Sequence, residues 1–501
     1  MTREQKTDTL ILFLMALGAV IFHILLNGQY GFHRDELDFI MNARQLDWGY
    51  VAYPPITPFF ARIGLELFGE SLRGLRVLPA IAQGIVMVLA GLMARDMGGR
   101  RSAQILAAFT VFIAPISLIG GTVIMYFAFD YLWWALVAFF LVRLLSTDDP
   151  RYWLGIGAGI GLGMMTKYTM AFWVLGLIVA ILITPARKYL RSKWLYLGAG
   201  LAFVLCLPNL VWQVQHDFIS LDFLTAIHQR DIEWGRTGSF IPDQFYLSTN
   251  PLSLPVWVAG LVLCLFSPSM KRFRVLGWMF VVTFLLFLLS KGRGYYLGPA
   301  YVMLFAAGAV WFEKWLEPRS QRVRRLGFGL LWGVLVIGSL IGISLMKPIA
   351  PINSPLWEVT SSVHDLFTEM VGWQDLTVQV AGVYQSIPEE EKLRTVIYTD
   401  NYGEAGALDL YGKQYGLPRL ISGSNSLWYR GYGDTDPQTV VVVGVDYSEA
   451  GMVFRSCKVA ARVTNSYGVK NEESTSHTTI LVCRDPRSPW KDIWPQAQDF
   501  Q

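Results

Sequence analysis

The chain alternates long apolar stretches with short, charged connections. The apolar stretches fall near residues 9–27, 74–95, 102–119, 128–146, 153–166, 169–185, 195–213, 252–268, 274–290, 295–315 and 326–346. A run of about twenty apolar residues matches the hydrocarbon core of a bilayer when helical, so the pattern predicts about eleven transmembrane helices. The stretch at 153–166 is short and glycine-rich (GIGAGIGLGMM), which predicts close packing against a neighbouring helix.

Between the first two stretches the pattern changes. Asp35 to Trp48 carries Leu37, Ile40, Met41 and Ala43 at helical spacing, and Thr57 to Phe68 has similar spacing after the Tyr53-Pro54-Pro55 break. Two amphipathic helices lying along the membrane surface are predicted. Beyond residue 346 the long apolar runs stop. Short β-rich runs follow at Thr395–Thr399, Thr439–Val445 and Thr478–Val482, and Ala405, Leu408, Tyr411 and Tyr415 repeat at helical spacing between the first two. Alternating strand and helix signals predict a small α/β domain. The chain therefore divides into a membrane domain, 1–346, and a C-terminal domain, 347–501.

Composition agrees: of 501 residues, 53% are hydrophobic and only 16% charged. The net charge of +4 is small and dispersed, which gives no footing for nucleic acid. Its placement is more informative. With the N-terminus cytoplasmic, one set of connections holds Arg95, Arg100 and Arg101, then Arg143 and Arg151, then Arg187, Lys188, Arg191 and Lys193. Lys271, Arg272 and Arg274 follow, and Arg319, Arg322, Arg324 and Arg325 complete the set. Positive residues favour the cytoplasmic side, so a multi-pass protein with an extracytoplasmic C-terminal domain is predicted. Cys457 and Cys483 both lie in that domain, where a disulfide and two free thiols are both open.

A few polar residues break the pattern. Arg34-Asp35-Glu36 follows the first apolar stretch, and Asp130 opens the fourth among aromatic residues (MYFAFDYLWW). Helix capping and pairing with Arg34 explain the first cluster, and N-capping explains Asp130. Partly desolvated carboxylates at a bilayer edge also suit general-base chemistry. Lys167, in MMTKYTM, and Lys291 and Arg293, in KGRGYY, sit on the side that the charge bias leaves poor in cations. Snorkelling accounts for each singly. Jointly they suit a lipid-linked phosphate, with the carboxylates facing the bond that reacts and Trp48, Tyr53, Trp133, Trp134 and Tyr295 beside a sugar or isoprenoid.

The stretch HRDEL…LDWGYVAYPP resembles bacterial members of the protein O-mannosyltransferase and aminoarabinose transferase superfamily, glycosyltransferases of the GT-C fold related to glycosyltransferase family 39. Asp130, the Met165-Thr166-Lys167 turn, the Lys291-to-Tyr295 turn and the NYGEAGALDLYG segment follow in register. The resemblance implies an inverting transferase of the bacterial inner membrane. It would move a sugar from a polyprenyl phosphate to a lipid, polysaccharide or protein acceptor at the outer face. It also implies Asp35 as general base, Glu36 and Asp130 as orienting groups, and Lys167, Lys291, Arg293 and Tyr295 at the donor phosphate. Arg34, Trp48, Tyr53 and Tyr296 would line the substrate. Where the aminoarabinose transferases carry Glu-Lys-Pro, this chain has Ala52-Tyr53-Pro54. Neither their metal nor their acceptor carries over, and a divalent metal stays open with Glu36, His216 and His228 as candidate ligands. A transporter or flippase of a lipid-linked sugar is the alternative; it requires a midplane site and inverted repeats, and no repeat is evident.

Overall fold

The computed structural model describes residues 2–434 and 436–501. Every predicted apolar stretch is helical. Among the described residues, seven helices are long and apolar enough to cross a bilayer, and nine are if two bent pairs count as one span each. The remaining stretches are short: Tyr152–Met164 has 13 residues, and Arg101–Phe112 stops before Pro115 opens a separate helix, Pro115–Gly120. Proline lacks the N–H that a continuous helix needs. Leu10, Phe13, Leu17 and Leu25 of the first helix are more than half exposed, the apolar outer face of a lipid-facing helix. The chain is a multi-span membrane protein.

The glycine-rich helix packs closely, as its composition predicts. A Cβ at Gly157 would collide with the backbone of Gly198, and a Cβ at Gly198 with the carbonyl of Trp153. Paired glycines let Tyr152–Met164 and Lys193–Gln215 meet backbone to backbone.

The C-terminal part holds a five-stranded sheet of order β2-β1-β3-β5-β4. Its strands are β1 (Thr395–Thr399), β2 (Leu420–Ser422), β3 (Thr439–Val443), β4 (Phe454–Arg462) and β5 (Thr479–Pro486). β1 pairs in parallel with β2 and β3, while β5 runs antiparallel to β3 and β4. Cys457 and Cys483 face each other across β4 and β5 and are disulfide-bonded.

Both surface helices form, at Arg34–Arg44 and Ile56–Phe68. The first does not simply lie on a membrane. Every residue from Glu36 to Ala43 is buried, because the sheet domain covers the side that faces away from the bundle. Phe39 and Ala43 join the bundle core, whereas Leu37 and Ile40 share a core with Ile397, Val441, Val443 and Ile480 of the sheet. Helix Tyr402–Tyr411 makes the closest approach. A Cβ on Gly406 would come within 2.5 Å of the Leu37 Cβ, and one on Gly403 within 3.0 Å of the Arg34 Cβ. Gly403 and Gly406 of NYGEAGALDLYG thus form the contact surface for the helix that carries Asp35.

Candidate active site

Helix Arg34–Arg44 begins with a capping box. The His33 side chain accepts from the Asp35 N–H at 3.1 Å, and Glu36 accepts from the His33 N–H at 2.8 Å. Glu36 also pairs with Arg76, at 2.6 and 3.0 Å, and accepts from the Ile124 N–H at 2.9 Å. Both side chains are fully buried. Arg76 continues to the carbonyls of Asn27 and Gly31. Lys347, at the end of the last span, donates to Asn27, Thr122 and His23. The carboxylate of Glu36 is fully engaged in fixing where the helix starts.

With its neighbour committed, Asp35 is the group that remains available. Its side chain is 30% exposed and accepts one hydrogen bond, 2.8 Å from the Tyr402 hydroxyl of the sheet domain. Arg34 is not its partner. The Arg34 guanidinium pairs with Glu472 and lies 4.9 Å from the centre of the Tyr402 ring, so pairing within the Arg34-Asp35-Glu36 cluster does not occur. One turn on, buried Asp38 is hydrogen-bonded to Tyr53 and Asn42. Burial pushes its carboxyl up to about 6, against the pull of those bonds and of Arg430.

The Tyr53-Pro54-Pro55 break brings the first loop to the Met165-Thr166-Lys167 turn. The Ile56 N–H, the first of the second surface helix, donates to the Met165 carbonyl at 3.0 Å. Lys167 emerges from this turn into a cage of three rings, its ammonium 4.6, 4.7 and 4.0 Å from the centres of Tyr126, Tyr295 and Tyr296. Among the described residues its ammonium has no ion-pair partner within 4.0 Å. Tyrosine faces attract a cation without neutralising it. The carboxylate whose charge reaches Lys167 is that of Asp130, and the neighbouring cation is Arg293. Phe39, one turn after Asp35, meets the Tyr126 ring at 6.1 Å, so the helix that carries Asp35 adjoins the Lys167 cage.

Asp130 is tied to the Lys167 turn through Thr169 and does not cap its helix; Met125 holds that position. Its oxygens accept from Trp134 at 2.9 Å and Thr169 at 3.1 Å, two residues past Lys167. Arg293 makes a two-pronged pair with Asp231, at 2.6 Å on each side. Asp231 belongs to helix Ile219–Glu233, which also brings Arg230, while Arg236 follows it. Sequence patterning did not single out these two arginines, because they lie in a polar connection where charge is ordinary. Lys291 is exposed and holds the left-handed position, φ +52°, that closes helix Arg274–Leu289. The N–H groups of Lys291 and Gly292 reach back to Leu288 and Phe287.

The other candidates lie elsewhere. Tyr53 is buried, its hydroxyl donating to Asp38 and accepting from Asn42, and Trp48 is 60% exposed. His216 stacks on Trp212 at 3.9 Å, and His228 lies exposed on helix Ile219–Glu233. With Glu36 saturated, these three do not form a donor set. Among the described residues no three His, Cys, Asp or Glu side chains converge as metal ligands.

This architecture is similar to that of ArnT from Cupriavidus metallidurans, solved with undecaprenyl phosphate bound. The TM-score is 0.59 at 14% identity, over 94% of this chain and 97% of that one. The likeness defines the class by fold: a GT-C membrane bundle carrying a small sheet domain. Residues 52–212 match the dolichyl-phosphate-mannose-protein mannosyltransferase family. The lipid A galacturonosyltransferase RgtD of Rhizobium johnstonii is 26% identical over 62% of this chain and 67% of its own length. Undecaprenyl phosphate-alpha-4-amino-4-deoxy-L-arabinose arabinosyl transferase 1 of Pseudomonas fluorescens is 30% identical over 37% of this chain, a match that spans 32% of that relative. The chain belongs to the GT-C superfamily of membrane glycosyltransferases.

Proposed function

We propose that the protein transfers a sugar from a polyprenyl phosphate to an acceptor at the extracytoplasmic face of a bacterial inner membrane. In this reading residues 1–346 form the catalytic membrane domain and 347–501 an extracytoplasmic domain. Asp35 takes the proton of the acceptor hydroxyl as its oxygen attacks the anomeric carbon. The carbon–oxygen bond to the phosphate breaks, and its electron pair leaves on the polyprenyl phosphate. Lys167 and Arg293 hold that phosphate, with Lys291 at the rim, and the inversion needs no nucleophilic carboxylate. Glu36 fixes the helix that carries the base, and Asp130 anchors Thr169 beside the Lys167 turn. The names of the relatives support lipid A or the lipopolysaccharide core as acceptor, and galacturonate or aminoarabinose as sugars to try first.

One observation carries this reading: an ammonium caged by three tyrosines, with no carboxylate within 4.0 Å among the described residues, beside the helix that carries Asp35. The test uses purified protein, undecaprenyl-phosphate galacturonate or aminoarabinose, and lipid A, with products read by mass spectrometry. Wild type should yield glycosylated lipid A and undecaprenyl phosphate. Asp35→Asn should still bind undecaprenyl phosphate but lose turnover by about 10²–10⁴-fold, the range for removal of a general base. Full turnover by Asp35→Asn would remove Asp35 from this role. No transfer from either donor by the wild type would defeat the acceptor and sugar assignments.

A further inference from the structure

We propose that Tyr402, contributed by the C-terminal sheet domain, is a positioning residue for Asp35, so that the sheet domain completes the active site. This deepens the reading above and rests on it. Three observations meet at Tyr402. Its hydroxyl donates to Asp35 at 2.8 Å, the one hydrogen bond that this carboxylate receives among the described residues. Its ring carries the Arg34 guanidinium, whose ion-pair partner Glu472 also comes from the sheet domain. Its backbone is held in turn: Tyr402 is the first residue of its helix, capped by Asn401 and the buried Glu404.

The geometry gives the hydroxyl a defined task. A carboxylate has two oxygens, and a base must keep one free for the incoming proton. Tyr402 occupies Oδ1, which fixes the torsion of the side chain, while Oδ2 accepts no hydrogen bond among the described residues and has His33 Nδ1 4.0 Å away. Burial pushes the Tyr402 phenol up, so the group stays protonated and remains a donor across the working range. The hydroxyl is thus a charge-assisted donor that holds the carboxylate in one orientation. The charged and titratable groups that face Asp35 are His33, Arg34 and Asp38 on its own segment. Tyr126 and Tyr295 face it from the bundle, and Tyr402 from the sheet domain. Of these, Tyr402 is the one recorded in hydrogen-bond contact with the carboxylate.

Tyr402→Phe removes the hydroxyl and keeps the ring under Arg34, so the domain contact survives. The full-length protein in detergent is treated with a water-soluble carbodiimide, which modifies protonated carboxyls, and labelling at Asp35 is followed by peptide mass spectrometry across pH. In Tyr402→Phe the midpoint of labelling should rise by about one pH unit. With undecaprenyl-phosphate aminoarabinose or galacturonate as donor, kcat should fall about tenfold or more while donor KM changes less than twofold. Tyr402→Phe should add little to the loss already caused by Asp35→Asn. A midpoint and a kcat that both match wild type would overturn the proposal. If wild-type protein transfers neither sugar but the labelling midpoint still shifts, the sugar assignment has failed and the Tyr402–Asp35 coupling stands.

Discussion

Glu36 and Arg76 form an ion pair with both side chains fully buried, 2.6 Å apart at the closest atoms. The pair sits where the first span, the turn before the fourth span and the start of the first surface helix meet. It transmits the geometry of three bundle elements to the residue before it in sequence, Asp35. Removing one member leaves a buried, uncompensated charge. Arg76→Met should therefore cost about 3–5 kcal/mol in unfolding free energy, measured by denaturant titration in detergent. The double variant Glu36→Gln/Arg76→Met should recover part of that loss. Equal losses in the single and double variants would mean that the pair contributes through packing alone.

Lys167 is held by ring faces, with no carboxylate within 4.0 Å among the described residues; in the proposed reading its charge meets the donor phosphate. Lys167→Met keeps the aliphatic stem in the cage and removes the charge. Binding of undecaprenyl phosphate, titrated by intrinsic fluorescence, should weaken about tenfold to a hundredfold, the range for a hydrogen bond to a charged group. Lys167→Arg should restore only part of it, since a planar guanidinium does not match the point-like ammonium in a three-ring cage. Unchanged affinity in Lys167→Met would remove the phosphate role.

Gly157 and Gly198 allow two spans to touch through their backbones. Gly157→Ala should lower stability by about 1–3 kcal/mol through overpacking. Gly200→Ala, on the same helix as Gly198 but with nothing within 4 Å of a new Cβ, is the matched control and should not destabilise. Thermal unfolding of both variants in one detergent separates the effects; equal midpoints would contradict the close contact.

His477 gathers Asp400, Glu404 and Glu472 of the sheet domain around its ring, at 3.2, 3.8 and 3.4 Å. Burial pulls its pKa down, but Asp400 and Glu472 outweigh that and raise it from 6.5 to about 10. A raised pKa means that folding favours the protonated ring. The contribution is then fully present below about 6.5 and fades as pH rises through about 10. Although burial raises Glu472, His477 and Arg34 hold it down, from 4.5 to about 2, so its share is full above about 4.5 and lost as pH falls through about 2. The stability gap between wild type and His477→Gln should be largest between about pH 4.5 and 6.5 and shrink towards pH 10. A gap that grows with pH would reverse the assignment.

Much of the bundle was legible because hydrophobic length is a strong signal, and the surface helices because their spacing is amphipathic. β1, β3 and β5 announce themselves as runs of β-branched residues buried inside the sheet. β2 has only three residues, and β4 is an exposed edge, FRSCKVAAR, whose charges hide it. In the site, Asp35, Lys167 and Arg293 stand out as charges where the pattern leaves few. Arg76 does not, because an arginine just before an apolar run reads as a flanking residue, and its burial depends on Glu36 from forty residues earlier. His33 is not among the usual N-capping residues, so the helix start looked one residue later than it is. Tyr402 reads as one more aromatic in a helical repeat; nothing local tells that it meets a residue 367 positions away.

That separation places the two halves of the site at opposite ends of synthesis. At about 5–20 residues per second, Tyr402 leaves the ribosome roughly 20–70 seconds after Asp35. During that interval the helix Arg34–Arg44 has the bundle on one side and lacks the sheet that covers Leu37 and Ile40 on the other. A growing chain holds its cation cage before it holds its aligned carboxylate. In the proposed reading, chains clipped before Thr395 bind the lipid carrier and do not turn it over, so proteolysis there yields an inhibitor as well as an inactive protein.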